Sequence, residues 1–120
     1  MDDSARRDIA YTAGICISGL RSNAIFDCAA SRYTSINGEI DSIKISIYDY
    51  ERQCFIAGIR NNNVLSLYDY GKDNHITMNI EENSFNGFDH ASSSHFHGSV
   101  AKNSITLFDH QISKYFNYAI

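Results

Sequence analysis

Apolar and polar residues alternate along most of the chain from position 43 onward. In the stretches 43–48, 64–68 and 104–108, isoleucine, leucine or valine occupies every second position, with serine, threonine, lysine or a ring between. Alternation of this kind, rich in β-branched and aromatic residues, predicts half-buried β-strands. No segment shows a sustained apolar period of 3.6 residues, so the pattern predicts no helix.

A second pattern is a repeat of about 20 residues. Five aspartates recur at spacings of 22, 20, 20 and 20 residues, and an aromatic residue precedes each of them. Another ring, from Tyr, Phe or His, stands six residues after each aspartate. Coincident columns at a near-constant period indicate a repeat architecture. The five aspartates are Asp27, Asp49, Asp69, Asp89 and Asp109.

Each repeat unit predicts one β-hairpin. A mostly polar stretch of four residues, such as 71–74 or 91–94, follows the strand that ends near the aspartate, and a second apolar stretch comes after it. Four residues suit a hairpin loop. Residues 11–15 resemble residues 55–59, the second half of a unit, so we expect a lone first strand there. Residues 1–10 match no part of the repeat, and we expect them to form a loose N-terminal arm.

The predicted fold class is therefore all-β, an antiparallel meander of about 11 strands built from five tandem hairpin repeats. Residues 11–120 would form a single domain. The alternatives are a rolled sheet, a closed barrel and a hairpin solenoid, and near-identical units favour a rolled or solenoid-like sheet. We expect the aliphatic face of the strands to be the core, because Ile45 and Ile47 share one face and Tyr48 and Tyr50 the other.

The repeat aspartates have two interpretations. Each stands where a strand enters a turn, where its carboxylate can accept hydrogen bonds from loop N–H groups, and this structural role is favoured. A ladder of Ca²⁺-binding carboxylates would need further oxygen ligands at fixed offsets, and the loops offer none consistently.

The histidines suggest a zinc site only weakly. His95 and His97 lie at i and i+2 on one strand, and His75 stands one unit earlier in the column of His95, so neighbouring strands could gather all three. However, histidines alternate with Tyr and Phe in the same columns, which favours a role as ring fillers. In each adjacent Asp-His pair, the two side chains point to opposite faces of the strand, so the aspartate cannot orient the imidazole for catalysis. The serines at 92–94 lack a nucleophile elbow. We therefore expect no enzyme and no cofactor.

The ring columns are the main candidate for a binding surface. They form either a second buried layer or a partly exposed strip of rings, suited to a protein partner or a flat ligand such as a sugar. The candidate ligand-binding residues are Tyr48, Tyr50, Tyr68, Tyr70, Phe88, His90, Phe108 and His110.

Charge and composition limit the partners. The chain has 10 Lys+Arg and 14 Asp+Glu, and its only basic cluster is Arg6-Arg7, so we expect no nucleic-acid partner. No apolar stretch approaches 18 residues, and three cysteines without a CxxC spacing are typical of reduced thiols, so we expect no membrane partner and a cytoplasmic location.

The sequence thus favours a non-catalytic module for protein binding or self-assembly. An open meander exposes an unpaired strand at each end, and strand addition would satisfy those edges. We therefore expect a homo-oligomer, or a complex with another protein, formed through edge strands. A carbohydrate-binding module that uses the ring ladder is the alternative.

Overall fold

The structure, a computed structural model, describes residues 1–120 as one helix and ten strands. Each strand is antiparallel to both neighbours, and β1 pairs with β10 as well as with β2, so the sheet closes into a barrel. The predicted all-β meander is confirmed in its barrel form, with ten strands instead of about 11. The elements are α1 Asp3–Ser18, β1 Ala24–Asp27, β2 Arg32–Ile40, β3 Lys44–Asp49, β4 Cys54–Asn61, β5 Val64–Asp69, β6 Asn74–Glu81, β7 Ser84–Asp89, β8 Ser94–Ala101, β9 Ser104–Asp109 and β10 Lys114–Ala119.

Each repeat unit is a β-hairpin, as predicted, and the five repeat aspartates end the five odd-numbered strands. The register repeats as well: Tyr48 pairs with Phe55, and Tyr68 with His75 one unit later. Because all the odd strands run in the same direction, the loops 28–31, 50–53, 70–73, 90–93 and 110–113 gather at one end of the barrel. We call this the turn end, and the opposite end the open end.

Helix α1 occupies the inside of the barrel. Ala5, Ile9, Ala10 and Ala13 are at most 1% exposed. Eight strands already enclose an interior that side chains just fill, and the diameter grows with strand number, so a ten-stranded barrel has room for a further element. The predictions of a loose arm over residues 1–10 and of a lone strand at 11–15 are wrong, because both segments belong to this helix.

Standard caps fix both ends of the helix. The Asp2 side chain accepts a hydrogen bond from the Ala5 backbone N–H at 2.9 Å, as an N-cap residue does. Gly19 adopts the left-handed conformation, with φ 71°, and its N–H donates to the Ile15 carbonyl at 3.0 Å. Small residues allow close contact with the strands: a Cβ on Gly14 would lie 2.9 Å from the Ile105 Cδ1 atom.

The aliphatic face of the strands forms the core around this helix, as predicted. Side chains that alternate along the strands point inward and most of them are buried, while their neighbours face solvent. The inward-facing residues include Ile45, Ile47, Leu65, Leu67, Ile105 and Leu107.

Closure of the barrel removes the free edges expected of an open meander. β1 meets β10 through Phe26 opposite Ala119 and Asp27 opposite Tyr118, and the Cys28 N–H donates to the Asn117 carbonyl. A closed sheet has no unpaired strand for another chain to extend. The edge strands on which the expected association depended are therefore absent.

Candidate functional site

A belt of aromatic and histidine rings surrounds the outside of the barrel near its turn end. Three columns of the repeat supply it: the residue before each aspartate, the residue after it, and the residue six positions after it. We call this set the ring belt. Its members are Phe26, Tyr33, Tyr48, Tyr50, Phe55, Tyr68, Tyr70, His75, Phe88, His90, His95, Phe108, His110 and Tyr115.

In the four units from Tyr48 onward, the ring before the aspartate packs against the other two, whereas the first unit has Cys28 in place of the third ring. The Tyr48 ring centroid lies 5.0 Å from that of Tyr50 and 4.8 Å from that of Phe55, at interplanar angles of 74° and 68°. Tyr68 makes the same edge-to-face contacts with Tyr70 and His75. Such contacts add about 0.5–1.5 kcal/mol per pair beyond area burial. The belt is therefore an ordered surface in which each ring orients its neighbours.

All eight candidate ligand-binding residues lie in this belt, and the belt is not a second buried layer. Tyr48, Tyr68, Phe88 and Phe108 are half-buried, whereas the rings that follow the aspartates are exposed. Tyr50 and Tyr70, for example, expose 54% and 57% of their surface. The ring belt is exposed because the sheet closes into a barrel. The core then lies inside, and no second sheet covers the outside.

The outside of β3, β4 and β5 carries several exposed apolar side chains. The outward side chains of β4 are Phe55, Ala57, Ile59 and, at its open end, Asn61, with Phe55 49% and Ile59 66% exposed. Val64 on β5 is 48% exposed. One unit later, the same columns of β6 carry His75, Thr77 and Asn79. We call the outward side chains of these three strands the β3–β5 face.

The repeat aspartates cap the hairpin loops, which is the structural role favoured by the sequence. In all five copies, Oδ1 accepts a hydrogen bond from the backbone N–H two residues later, at 2.9–3.2 Å. The four aspartates from Asp49 onward are also buried, at 0–3% exposed, and point into the barrel beside the N-terminus of α1. The positive end of a helix dipole favours carboxylates in this position.

Arginines inside the turn end compensate the buried carboxylates. Arg52 extends inward from its loop, with Nη1 2.8 Å from Asp8 Oδ2 and Nη2 2.8 Å from Asp69 Oδ1. Arg7 of the helix pairs with Asp49 at 2.5 Å. Arg6 pairs with Asp109 at 3.0 Å. We call these residues the buried charge cluster: Arg6, Arg7, Asp8, Asp49, Arg52, Asp69, Asp89 and Asp109.

Asp8 and Asp49 have opposite pKa shifts within this cluster. Burial raises the pKa of Asp8 well above its usual value, and the hydrogen bond and charge of Asp49 add to this against the effect of Arg52. Burial also acts to raise the pKa of Asp49, but the hydrogen bond from Asp8 and the ion pair with Arg7 outweigh it and lower the pKa. Asp8 Oδ1 is buried without a hydrogen-bond donor, so a proton on this oxygen can be shared with Asp49.

The three-histidine zinc site that the sequence suggested only weakly is not formed. His75 packs against Tyr68 on one side of β7, and His95 against Phe88 on the other. Equal columns of successive units are two strands apart, or roughly 10 Å, which is too far for ligands of one ion. No group of three or more His, Cys, Asp or Glu side chains is arranged to hold a metal ion.

The open end contains a cavity of about 820 Å³. It lies between the C-terminal end of α1, the linker 19–23 and the link between β2 and β3, and its lining includes Cys16, Arg21, Glu39 and Arg60. Burial is the main cause that raises the pKa of Cys16, to about 11, so this thiol is not activated.

No protein family model, curated protein or solved structure matches this chain. Helix α1 is neither long nor apolar enough to span a membrane. The candidate sites therefore depend on the geometry described above.

Sequence reasoning missed the buried charge cluster, although part of its signal was present. Asp49 has the same strand parity as Ile45 and Ile47, so an inward aliphatic face also turns the aspartates inward. The repeat did not indicate the compensating cations, because Arg6 and Arg7 lie outside it and the column of Arg52 is not constant. That column carries Ala30, Lys72, Ser92 and Ile112 in the other units.

Proposed function

We propose that this chain is a non-catalytic self-assembly module that forms a two-fold dimer through the β3–β5 face. The observation that carries the proposal is the run of exposed apolar side chains on β4, at 49% for Phe55 and 66% for Ile59. Contiguous exposed apolar surface of this kind is typical of interaction sites. The equivalent strand of the next unit is polar, so the repeat fold itself does not require this surface.

The β3–β5 face has a pattern that complements itself. Rings occupy its turn end, the aliphatic side chains Ile59 and Val64 its open end, and small residues the middle. A two-fold axis through the middle would place the rings of one copy against the aliphatic side chains of the other, twice over. An isologous interface has this requirement, since residue i contacts j and j contacts i. The small residues between the two ends are Ser46, Ala57 and Ser66.

The β3–β5 face is large enough for a standard protein interface. A standard interface buries about 800 Å² on each partner, roughly an eighth of the 6324 Å² that this chain exposes. Three adjacent strands out of ten provide a face of that order.

The ring geometry supports a protein partner more than a sugar. A sugar stacks on an open, flat ring face, whereas Tyr48 is held edge-to-face between Tyr50 and Phe55. The belt therefore presents ring edges and hydroxyl tips, which suit an irregular protein surface in which apolar and polar contacts alternate.

Sedimentation velocity and light scattering over a wide range of concentrations test the proposal. We expect the wild type to reach twice the mass of one chain, and Ile59→Asp to remain a monomer. Asn79→Asp is the matched control, because Asn79 occupies the same outward column one unit later, and it should dimerise like the wild type. A wild type that is monomeric at every concentration, or equal dissociation by the control, would contradict the proposed dimer.

A further inference from the structure

Two histidines of neighbouring strands face each other on the outside of the barrel. His97 lies in the middle of β8, and His110 directly follows β9. His97 Nδ1 and His110 Nε2 are 2.7 Å apart, and both side chains are exposed. Their strands are distant from the β3–β5 face, so this pair is independent of the proposed dimer.

Phe108 holds both imidazoles in place. It is the cross-strand partner of His97, whose ring stacks on it at 5.2 Å and 26°. The His110 ring stands edge-on to the same phenylalanine at 5.0 Å and 88°. Two ligands that are oriented before the ion arrives lose less conformational entropy when they bind it.

We propose that His97 and His110 form a two-nitrogen chelate for a divalent transition-metal ion with square-planar preference, Cu²⁺ above all. At metal–nitrogen distances of about 2.0 Å, two ligands at a right angle are about 2.8 Å apart, whereas tetrahedral ligands are about 3.3 Å apart. The observed 2.7 Å matches the right angle. Imidazole suits copper, Cu²⁺ binds most tightly in the divalent series, and its tetragonal geometry supplies such angles.

The protons of the pair allow this coordination. In the metal-free protein one imidazole nitrogen donates its hydrogen to the other. A neutral imidazole can carry its hydrogen on either nitrogen, so the donor ring moves the hydrogen to its outer nitrogen when the ion binds. Both inner nitrogens then have a free lone pair, a rotation of the two rings directs these lone pairs at one ion, and water fills the other positions.

His95 provides the control within the same patch. It lies on the same outward face of β8, two residues before His97, but its ring centroid is 6.5 Å from that of His110, compared with 4.9 Å for His97. The site therefore consists of two side chains, in agreement with the absence of any three-residue metal cluster.

Calorimetric titration of the full chain with CuCl₂ in a non-coordinating buffer tests the site. We expect one ion per chain, and losses of affinity in His97→Ala and His110→Ala at least as large as the roughly 10-fold typical of a lost outer-shell partner. His95→Ala and Cys28→Ser should each bind like the wild type, which separates the chelate from general histidine or thiol binding. Circular dichroism checks that every variant is folded.

Electron paramagnetic resonance of the copper-loaded protein gives a second readout. Hyperfine structure from two nitrogens should be present in the wild type and from only one in His110→Ala. The absence of binding, an equal loss in His95→Ala, or a nitrogen count that does not change in His110→Ala would overturn the assignment.

Discussion

The space between α1 and the surrounding strands is filled differently at the two ends of the barrel. At the turn end, the space between α1 and the strands is filled by the buried charge cluster, whose aspartates are 0–3% exposed. At the open end, it remains a cavity of about 820 Å³ that is open to solvent. Each end has an arginine from the same hairpin, Arg52 or Arg60. The buried aspartates occupy fixed positions in the repeat and give the turn end a structural role. No equivalent set of residues fills the open end.

The largest expected effect is the loss of the cation that joins two buried carboxylates. Arg52→Met would leave Asp8 and Asp69 without their shared partner, and breaking a buried ion pair from one side typically costs about 3–5 kcal/mol. We expect a loss of that order in the free energy of unfolding, measured by urea denaturation.

Arg60→Met is the matched control at the open end. Arg60 is half-buried, and its side chain makes one hydrogen bond, from Nε to the Asn62 carbonyl at 3.2 Å. We expect this variant to lose less than about 1 kcal/mol. Equal losses in the two variants would show that the ends do not differ energetically.

A smaller effect should distinguish aspartates within the turn end. Asp69 receives Arg52 on both oxygens, whereas the side-chain partner of Asp89 is the Ser92 hydroxyl at 2.8 Å. Replacement by asparagine keeps the acceptor for the loop N–H in both cases. We expect Asp69→Asn to cost about 1.5–3 kcal/mol, the range for hydrogen bonds to charged groups, and Asp89→Asn less than about 1 kcal/mol. Thermal and urea unfolding of the two variants would measure this, and the reverse order would contradict the role given to Arg52.

The repeat was predictable from sequence because each unit carries its own evidence. Alternation and the fixed column of aspartates identify the strands and turns, and parity identifies the inward side chains, as for Ile45 and Ile47. Exposure of the rings was not predictable, since it depends on whether the sheet closes. Closure depends on the whole sheet and on the helix inside it, so the sequence of a single repeat unit does not indicate it.

The helix was not predicted for a different physical reason. A helix surrounded by strands is buried on all sides over Ala5–Gly14 and so lacks the one-sided apolar period that identifies a surface helix. Its signals were the N-cap Asp2, the small residues Ala5, Ala10 and Ala13, and Gly19 just after its end. These helix signals were outweighed by the similarity of residues 11–15 to the strand segment 55–59.

The pH dependence of stability tests the shared proton of Asp8 and Asp49. Asp8 has a raised pKa in the folded chain, so the folded state retains a proton that the unfolded state loses above its ordinary pKa of 3.8. The free energy of unfolding should therefore decrease as the pH rises from 3.8 through the folded pKa of Asp8, by at most about 1.4 kcal/mol per pH unit. Asp49 has a lowered pKa, so its contribution is present above pH 3.8 and is lost as the pH falls through its folded pKa.

Asp8→Asn separates these two contributions, because an asparagine keeps the shape, can donate to Asp49 and does not titrate. Urea denaturation of both proteins across this pH range should give curves that diverge above pH 3.8, with only the wild type losing stability as the pH rises. Taking the difference between the curves cancels carboxylates common to both proteins, such as Glu51. The loss at acid pH that Asp49 causes should persist in the variant, because Asp49 keeps Arg7 and can accept a hydrogen bond from the asparagine. Parallel curves above pH 3.8 would mean that Asp8 is ionised in the folded chain and that Arg52 alone determines its charge.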